Sequence, residues 1–282
     1  MKKSLLAVAV AATFTLAACG SEEAKADVTV YGSAEQAITS TDGVADVATG
    51  DNYIGFKATE SFGESGNSAS AVIELGVAPE ATNTMSTRES YVGLNLNGLN
   101  ITAGKQKNLE KQFLNGLVDI MEGNGSSTAN QTRANNVVAL TTTVGGLTVG
   151  AATVTDGSAG EKTVDSHELA AKGEFNGVTA VVTYAKNNIT DTDTVSYGAG
   201  IDVAGITVGA TIEPDADTNT FAASTDFGNN TLRGSYQDVD GGNNTTAVEV
   251  AHNFSKTTTA YVNVSETEGS DASTMVGMRI TF

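Results

Sequence analysis

The residues that could make or break bonds are few and far apart in this sequence. Its two histidines, His167 and His252, fall on distant segments, and its one cysteine, Cys19, sits near the N-terminus. No His-x-x-x-His or Cys-x-x-Cys spacing is present, so no zinc site is legible. The phosphate-cradling Gly-x-x-x-x-Gly-Lys-Ser/Thr and the nucleophile elbow Gly-x-Ser-x-Gly are missing too. Asp238-Val-Asp-Gly-Gly-Asn-Asn244 superficially resembles a calcium loop, but Gly242 and Asn243 break the EF-hand spacing and a solvated loop is expected. No cofactor is expected. The chemistry left is electrostatic, carried by charged side chains whose positions depend on the elements around them.

Charge is abundant and one-sided. The chain has 15 basic and 33 acidic residues; removing 1–26 leaves 12 against 31, a net charge of −19. So acidic a surface argues against nucleic acid as a partner. The N-terminus reads as a secretory signal, with Lys2 and Lys3 followed by a mostly apolar run over Ser4–Ala17 that is too short to span a bilayer. Two cleavage readings stay open. Ala24-Lys25-Ala26 before Asp27 suits ordinary signal peptidase, giving 1–26 as signal peptide and 27–282 as the mature domain. Leu16-Ala17-Ala18-Cys19 looks like a lipobox, which would make Cys19 a lipidated first residue.

The elements that must position the charges are strands. Beyond the leader, apolar and polar residues alternate with period two in runs long enough to cross a bilayer at a tilt, about 9–11 residues. Only Asn108–Met121 shows any helical periodicity. Sixteen strands are predicted, at 28–38, 52–62, 68–77, 88–96, 100–106, 135–144, 147–155 and 166–175, then 177–186, 194–203, 205–213, 218–227, 230–238, 245–254, 257–266 and 273–282. Their connections alternate. One set is tight and rich in Gly and Asn, such as Asn97-Gly98, Gly145-Gly146 and Asn176-Gly177; the other is long, polar and acidic, such as 39–51, 156–165 and 267–272. Tight turns on one side and long loops on the other are expected of an outer-membrane β-barrel. Pro79 and Pro214 both fall where long loops begin, where no ladder hydrogen bond is lost.

Aromatic residues give an independent indication. Phe62, Phe175, Phe227 and Phe254 each precede a predicted tight turn, and Phe282 ends the chain on that side. A belt at one depth fits a membrane interface. In the last strand Phe282, Ile280, Met278 and Val276 share a face, a pattern similar to the C-terminal signal read by the outer-membrane assembly machinery.

Several segments resemble the general Gram-negative porins. They are Asp27-Val-Thr-Val-Tyr-Gly32, Ile54-Gly-Phe-Lys-Ala-Thr-Glu-Ser-Phe-Gly63, Arg88-Glu-Ser-Tyr-Val-Gly-Leu94, Ala103-Gly-Lys-Gln106, Arg133-Ala-Asn-Asn-Val137 and Val276-Gly-Met-Arg-Ile-Thr-Phe282. The resemblance implies a trimeric sixteen-strand barrel whose third long loop, here 107–133, folds into the lumen and sets acids against a basic wall. Asp119 and Glu122 are the expected loop acids, with Glu110 further off, while Leu109, Phe113, Leu114, Leu117 and Ile120 would pack the loop on the wall. Lys57, Lys105 and Arg133 are the expected wall cations, and Lys57 alternates with Ile54, Phe56 and Ala58 so as to point inward. Tyr53 and Lys105 depart from the family's pattern, which often has arginine at both positions. A weaker basic wall and a weak cation preference follow.

The expectation is therefore a one-domain transmembrane barrel in the outer membrane of a Gram-negative bacterium. It would lie among lipid and lipopolysaccharide and admit small hydrophilic solutes through a water-filled lumen. Competing readings are a non-conducting barrel acting as adhesin or structural protein, an outer-membrane enzyme with a reactive serine near His167 or His252, and a soluble periplasmic sandwich.

Overall fold

The computed structural model describes residues 26–63, 66–77, 85–130, 132–155 and 164–282. The leader before Ala26 with Cys19, as well as Pro79 and most of the loop at 156–165, lies outside the described residues. The chain forms one antiparallel sheet closed on itself. In order, its segments are β1 Asp27–Thr41, β2 Val44–Thr49, β3 Tyr53–Ser61, β4 Ser68–Val77, β5 Met85–Leu96 and β6 Leu99–Lys107. Next come β7 Arg133–Val144, β8 Leu147–Val154, β9 Ser166–Phe175, β10 Val178–Asn187, β11 Thr192–Val203 and β12 Ile206–Glu213. The last are β13 Thr218–Phe227, β14 Asn230–Val239, β15 Thr245–Asn253, β16 Thr258–Thr267 and β17 Ser273–Thr281. β2 and β3 are successive pieces of one strand, both paired with β1, so seventeen segments make a sixteen-strand barrel.

The first connection is the main departure from expectation. Instead of a long loop over 39–51, β1 runs on to Thr41, turns at Asp42-Gly43 and returns as β2, pairing Ile38 with Val47. Asp-Gly supplies the two positive φ angles, 49° and 74°, of a tight hairpin. The strand then breaks at Gly50, because the Glu35 carboxylate occupies the space a side chain would need: a Cβ there would lie 2.1 Å from Glu35 Cδ. That carboxylate accepts hydrogen bonds from the Asp51 amide at 3.1 Å and the Tyr261 hydroxyl at 2.6 Å.

Alternation decides which residues meet water. On β15, Ala247, Glu249 and Ala251 are buried inside, while Val248 and Val250 are exposed outside. On β17, Val276, Met278, Ile280 and Phe282 share the outer face and Met275 and Gly277 the inner one. Apolar residues cover the outside and polar ones fill the inside, the reverse of a soluble sandwich and the arrangement a bilayer requires. Phe175, Phe227, Phe254 and Phe282 all lie exposed at the turn end of this outer surface. Phe282 also completes the seam, exchanging backbone hydrogen bonds with Gly32 at 2.9 and 3.1 Å where β17 meets β1. Among the described residues no helix is long and apolar enough to cross a membrane; the crossing is made by strands.

Candidate functional site: a lumen narrowed by the third long connection

The connection between β6 and β7 enters the barrel. It opens as a short helix, α1 (Leu109–Phe113), capped by Asn108, whose Oδ1 accepts the Lys111 amide at 3.0 Å. A 3-10 turn follows over Asn115–Leu117. Both lie in the one stretch with helical periodicity. Leu109, Phe113 and Leu114 pack into an apolar patch of the inner wall made by Val137, Ala139, Ala152, Ala170 and Val181. Of the five expected packing residues, Leu109, Leu114 and Phe113 join this core and Leu117 borders it.

Further along, the wall makes room by having no side chain. A Cβ on Gly209 would lie 1.9 Å from the Leu117 carbonyl oxygen, and one on Gly198 2.4 Å from Leu114 Cδ2. Gly209→Val is therefore expected to push residues 114–118 off the wall, an overpacking cost of about 1–3 kcal/mol. Limited proteolysis of the refolded variant should cut within 109–130 while the strands stay resistant; unchanged resistance of the loop would contradict the packing.

Main-chain groups of a buried loop need partners, and here three wall carboxylates supply them. Glu168 accepts the Leu109 amide at 2.7 Å, Glu213 accepts the Ala129 amide at 2.7 Å, and Glu249 accepts the amides of Glu122 and Gly123 at 3.0 and 2.8 Å. Gln237 and Asn263 add donors to the carbonyls of Ser127 and Asn124, at 2.9 and 2.8 Å. The loop thus follows the inner wall from β8 to β16 and narrows the passage through the barrel.

Two charge clusters line this passage. At the loop tip, Arg233 reaches Glu249 at 2.6 Å and Glu122 at 3.0 Å, and Arg279 pairs with the other Glu122 oxygen. Burial pushes the Glu122 carboxyl above its usual pKa, against the pull of Arg279 and Arg233. On the facing wall Arg88 grips Asp51 with both terminal nitrogens, reaches Glu74 at 2.6 Å and lies 4.5 Å above the Tyr53 ring. Arg133 pairs with Glu89 at 3.3 Å and with Glu74 at 3.8 Å, and Lys107 with Glu89 at 3.8 Å. Lys111 on α1 lies within the field of these groups, and burial together with Arg133 presses its ammonium below the usual lysine pKa.

The sequence-derived site residues separate on this geometry. Glu122 and Arg133 join the two clusters, and Asp119 accepts from the Asn115 side-chain amide at 2.6 Å. Glu110 faces the wall, accepting from the Asn130 amide and the Ser196 hydroxyl at 3.0 and 3.1 Å. Lys57 stands in register with Thr29 and the inward Val72, exposed on the lumenal face. Lys105 does not join the constriction. The ladder sets it opposite Ser90, which shares the outward face with Val92, so it stands outside both clusters. Tyr53, where the arginine is missing, carries the Arg88 guanidinium on its ring instead. Sequence reading gave no role to Glu74, Glu89, Arg88, Arg233, Glu249 or Arg279. Their one signal was a charge at an inward position between apolar outward neighbours, as with Glu249 between Val248 and Val250.

The sequence profile of Gram-negative porins matches residues 6–272. This chain belongs to the Gram-negative porin family. The porin's fold is shared with solved structures of low sequence identity. One is a loop-deletion mutant of OmpT, an outer membrane protein of Vibrio cholerae (TM-score 0.73, 12% identity, covering 92% of this chain and 100% of that one). A double mutant of the Rhodopseudomonas blastica porin matches at TM-score 0.71 and 15% identity, covering 91% and 100%. An anion-selective porin from Comamonas acidovorans matches at TM-score 0.70 and 17% identity, covering 92% and 100%. At such identities the likeness shows the fold alone. Among curated proteins no sequence matches. The family and the barrel make this an outer-membrane channel protein of a Gram-negative bacterium, and they are those of a non-enzymatic pore.

Proposed function

We propose that this porin is a passive diffusion channel for small hydrophilic solutes and ions with a weak preference for cations, working as a homotrimer. The observation that carries the ion preference is that the lumen arginines are spent. Arg88, Arg133, Arg233 and Arg279 each touch a carboxylate, so little unpaired positive charge faces the passage. What remains over residues 27–282 is the acid excess of 31 against 12, and an acidic vestibule concentrates cations. Lys57, exposed in the lumen, opposes this and keeps the preference weak.

The trimer follows the family resemblance, as does recognition of Phe282, Ile280, Met278 and Val276 by the assembly machinery. Their common outward face suits both. Cleavage after Ala26 fits the start of β1 at Asp27; Edman sequencing of the exported protein would read Asp27 first, whereas a lipidated Cys19 would contradict it.

The test is conductance of the refolded protein in a planar bilayer, then the reversal potential in a potassium chloride gradient. Stable steps closing in threes and a potential of potassium sign are expected. A chloride-sign potential would overturn the cation preference, and silence from a folded, inserted barrel would overturn the open pore.

A further inference from the structure

The root of the loop holds an unusual set of acids. Glu110, Glu168 and Glu213 are buried, at 7%, 9% and 1% exposure, and none has a basic partner among the ion pairs of the described residues. Two successive loop amides bring Glu110 and Glu213 side by side: Ala129 donates to Glu213 at 2.7 Å and Asn130 to Glu110 at 3.0 Å. One Glu213 oxygen accepts the Ala129 amide, but the other, Oε1, is buried with no donor. Two ionised carboxylates have no donor between them, so an oxygen of this kind is satisfied only if the pair carries a proton. Leaving two bare charges together in a buried site is far costlier than sharing one.

We propose that Glu110 and Glu213 share one proton and act as a pH-sensitive latch that holds the root of the loop to the wall. The groups around the pair fit this. From β11 the Ser196 hydroxyl donates to Glu110, and from the returning loop the amide of Asn130 does the same. From β9 the buried Glu168 brings a third carboxyl into the neighbourhood of Glu110. On β13, Thr218 stands opposite Glu213, and its hydroxyl is turned to the Ala216 carbonyl. The cation next along α1, Lys111, lies in the field of Arg133, Asp119 and Lys107.

The sign follows from linkage. The docked pair holds its proton more tightly than the same carboxyls would in water with the loop released. The latch is therefore complete at low pH and is lost as pH rises past the titration of the docked pair. Between the titration of the released carboxyls and that of the docked pair the docking equilibrium falls by about tenfold per pH unit for one proton, and above the latter it is flat.

Amide hydrogen exchange of the refolded wild-type barrel in detergent, between about pH 5.5 and 9 and corrected for intrinsic rates, reads this without requiring conduction, so it succeeds or fails independently of the channel reading. Protection at Ala129, Asn130 and Leu109 should fall by up to about tenfold per pH unit until the docked pair has titrated and level off above that, with β14–β15 amides unchanged. Glu213→Gln keeps an acceptor for Ala129 and gives Glu110 a permanent donor, so its loop protection should be flat with pH. Glu110→Gln serves as the second variant if the first does not refold. Flat protection in the wild type, or a wild-type slope in either folded variant, would overturn the latch.

Discussion

Glu249→Leu is expected to free the tip of the loop from the wall and raise single-channel conductance, with broad, fluctuating current levels. Glu249 is fully buried, takes two loop amides, pairs with Arg233 at 2.6 Å and lies 3.4 Å from the Asn263 side-chain amide. Leucine fills nearly the same volume but accepts nothing. Two buried N–H groups lose their acceptor and Arg233 keeps only Glu122, so the docked tip should lose roughly 3–5 kcal/mol, as for any buried pair broken on one side. Glu249→Gln retains an acceptor oxygen and gives up only the charge, so about 1–3 kcal/mol is expected. The barrel ladders are untouched, and heat resistance on a gel should survive in both. Wild-type conductance and noise in the leucine variant would show that the tip is held by something else.

Glu122→Gln should move the selectivity toward anions. Among the described residues Glu122 is the only one of the loop that pairs with two wall arginines, and its side chain is 6% exposed. With it, the tip cluster balances Arg233 and Arg279 against Glu122 and Glu249; without it, one positive charge is left over at the edge of the passage. A unit charge several ångströms from a permeating ion in a wet pore is worth roughly 1 kcal/mol, or about a fivefold change in the cation-to-anion permeability ratio. The reversal potential in a salt gradient measures this directly, with Arg279→Gln expected to move it the opposite way. The shift should shrink at high salt as screening grows. A potential equal to wild type in both variants would place the tip cluster off the permeation path.

Much of the architecture was legible along the chain, because a strand's two faces differ in environment and period two records that in every element. The span expected at 166–175 is found at Ser166–Phe175, and Asn176-Gly177 turns the chain as its residue types require. The first hairpin was missed because Val44–Thr49 alternates weakly, and the Asp42-Gly43 signal sat inside a stretch already read as a polar loop. The site was only partly legible. Glu122, Arg133 and Lys105 all rest on the family resemblance, and the ladder sets Lys105 opposite the outward Ser90, away from the passage.

That the longest connection enters the lumen was implied by the family resemblance. By itself the sequence determined a membrane barrel with tight turns at one end and a belt of phenylalanines there. These are local properties, set by residue type, period and turn chemistry within a few positions. Only the tertiary structure decided which charges cancel. Glu122 meets Glu249 and Arg233 more than a hundred residues away, and Arg88 meets Asp51 across two strands. Such contacts depend on shear and register around the closed sheet, which no local pattern encodes. The lumen's net field is what remains after those pairings, and so it too belongs to the fold.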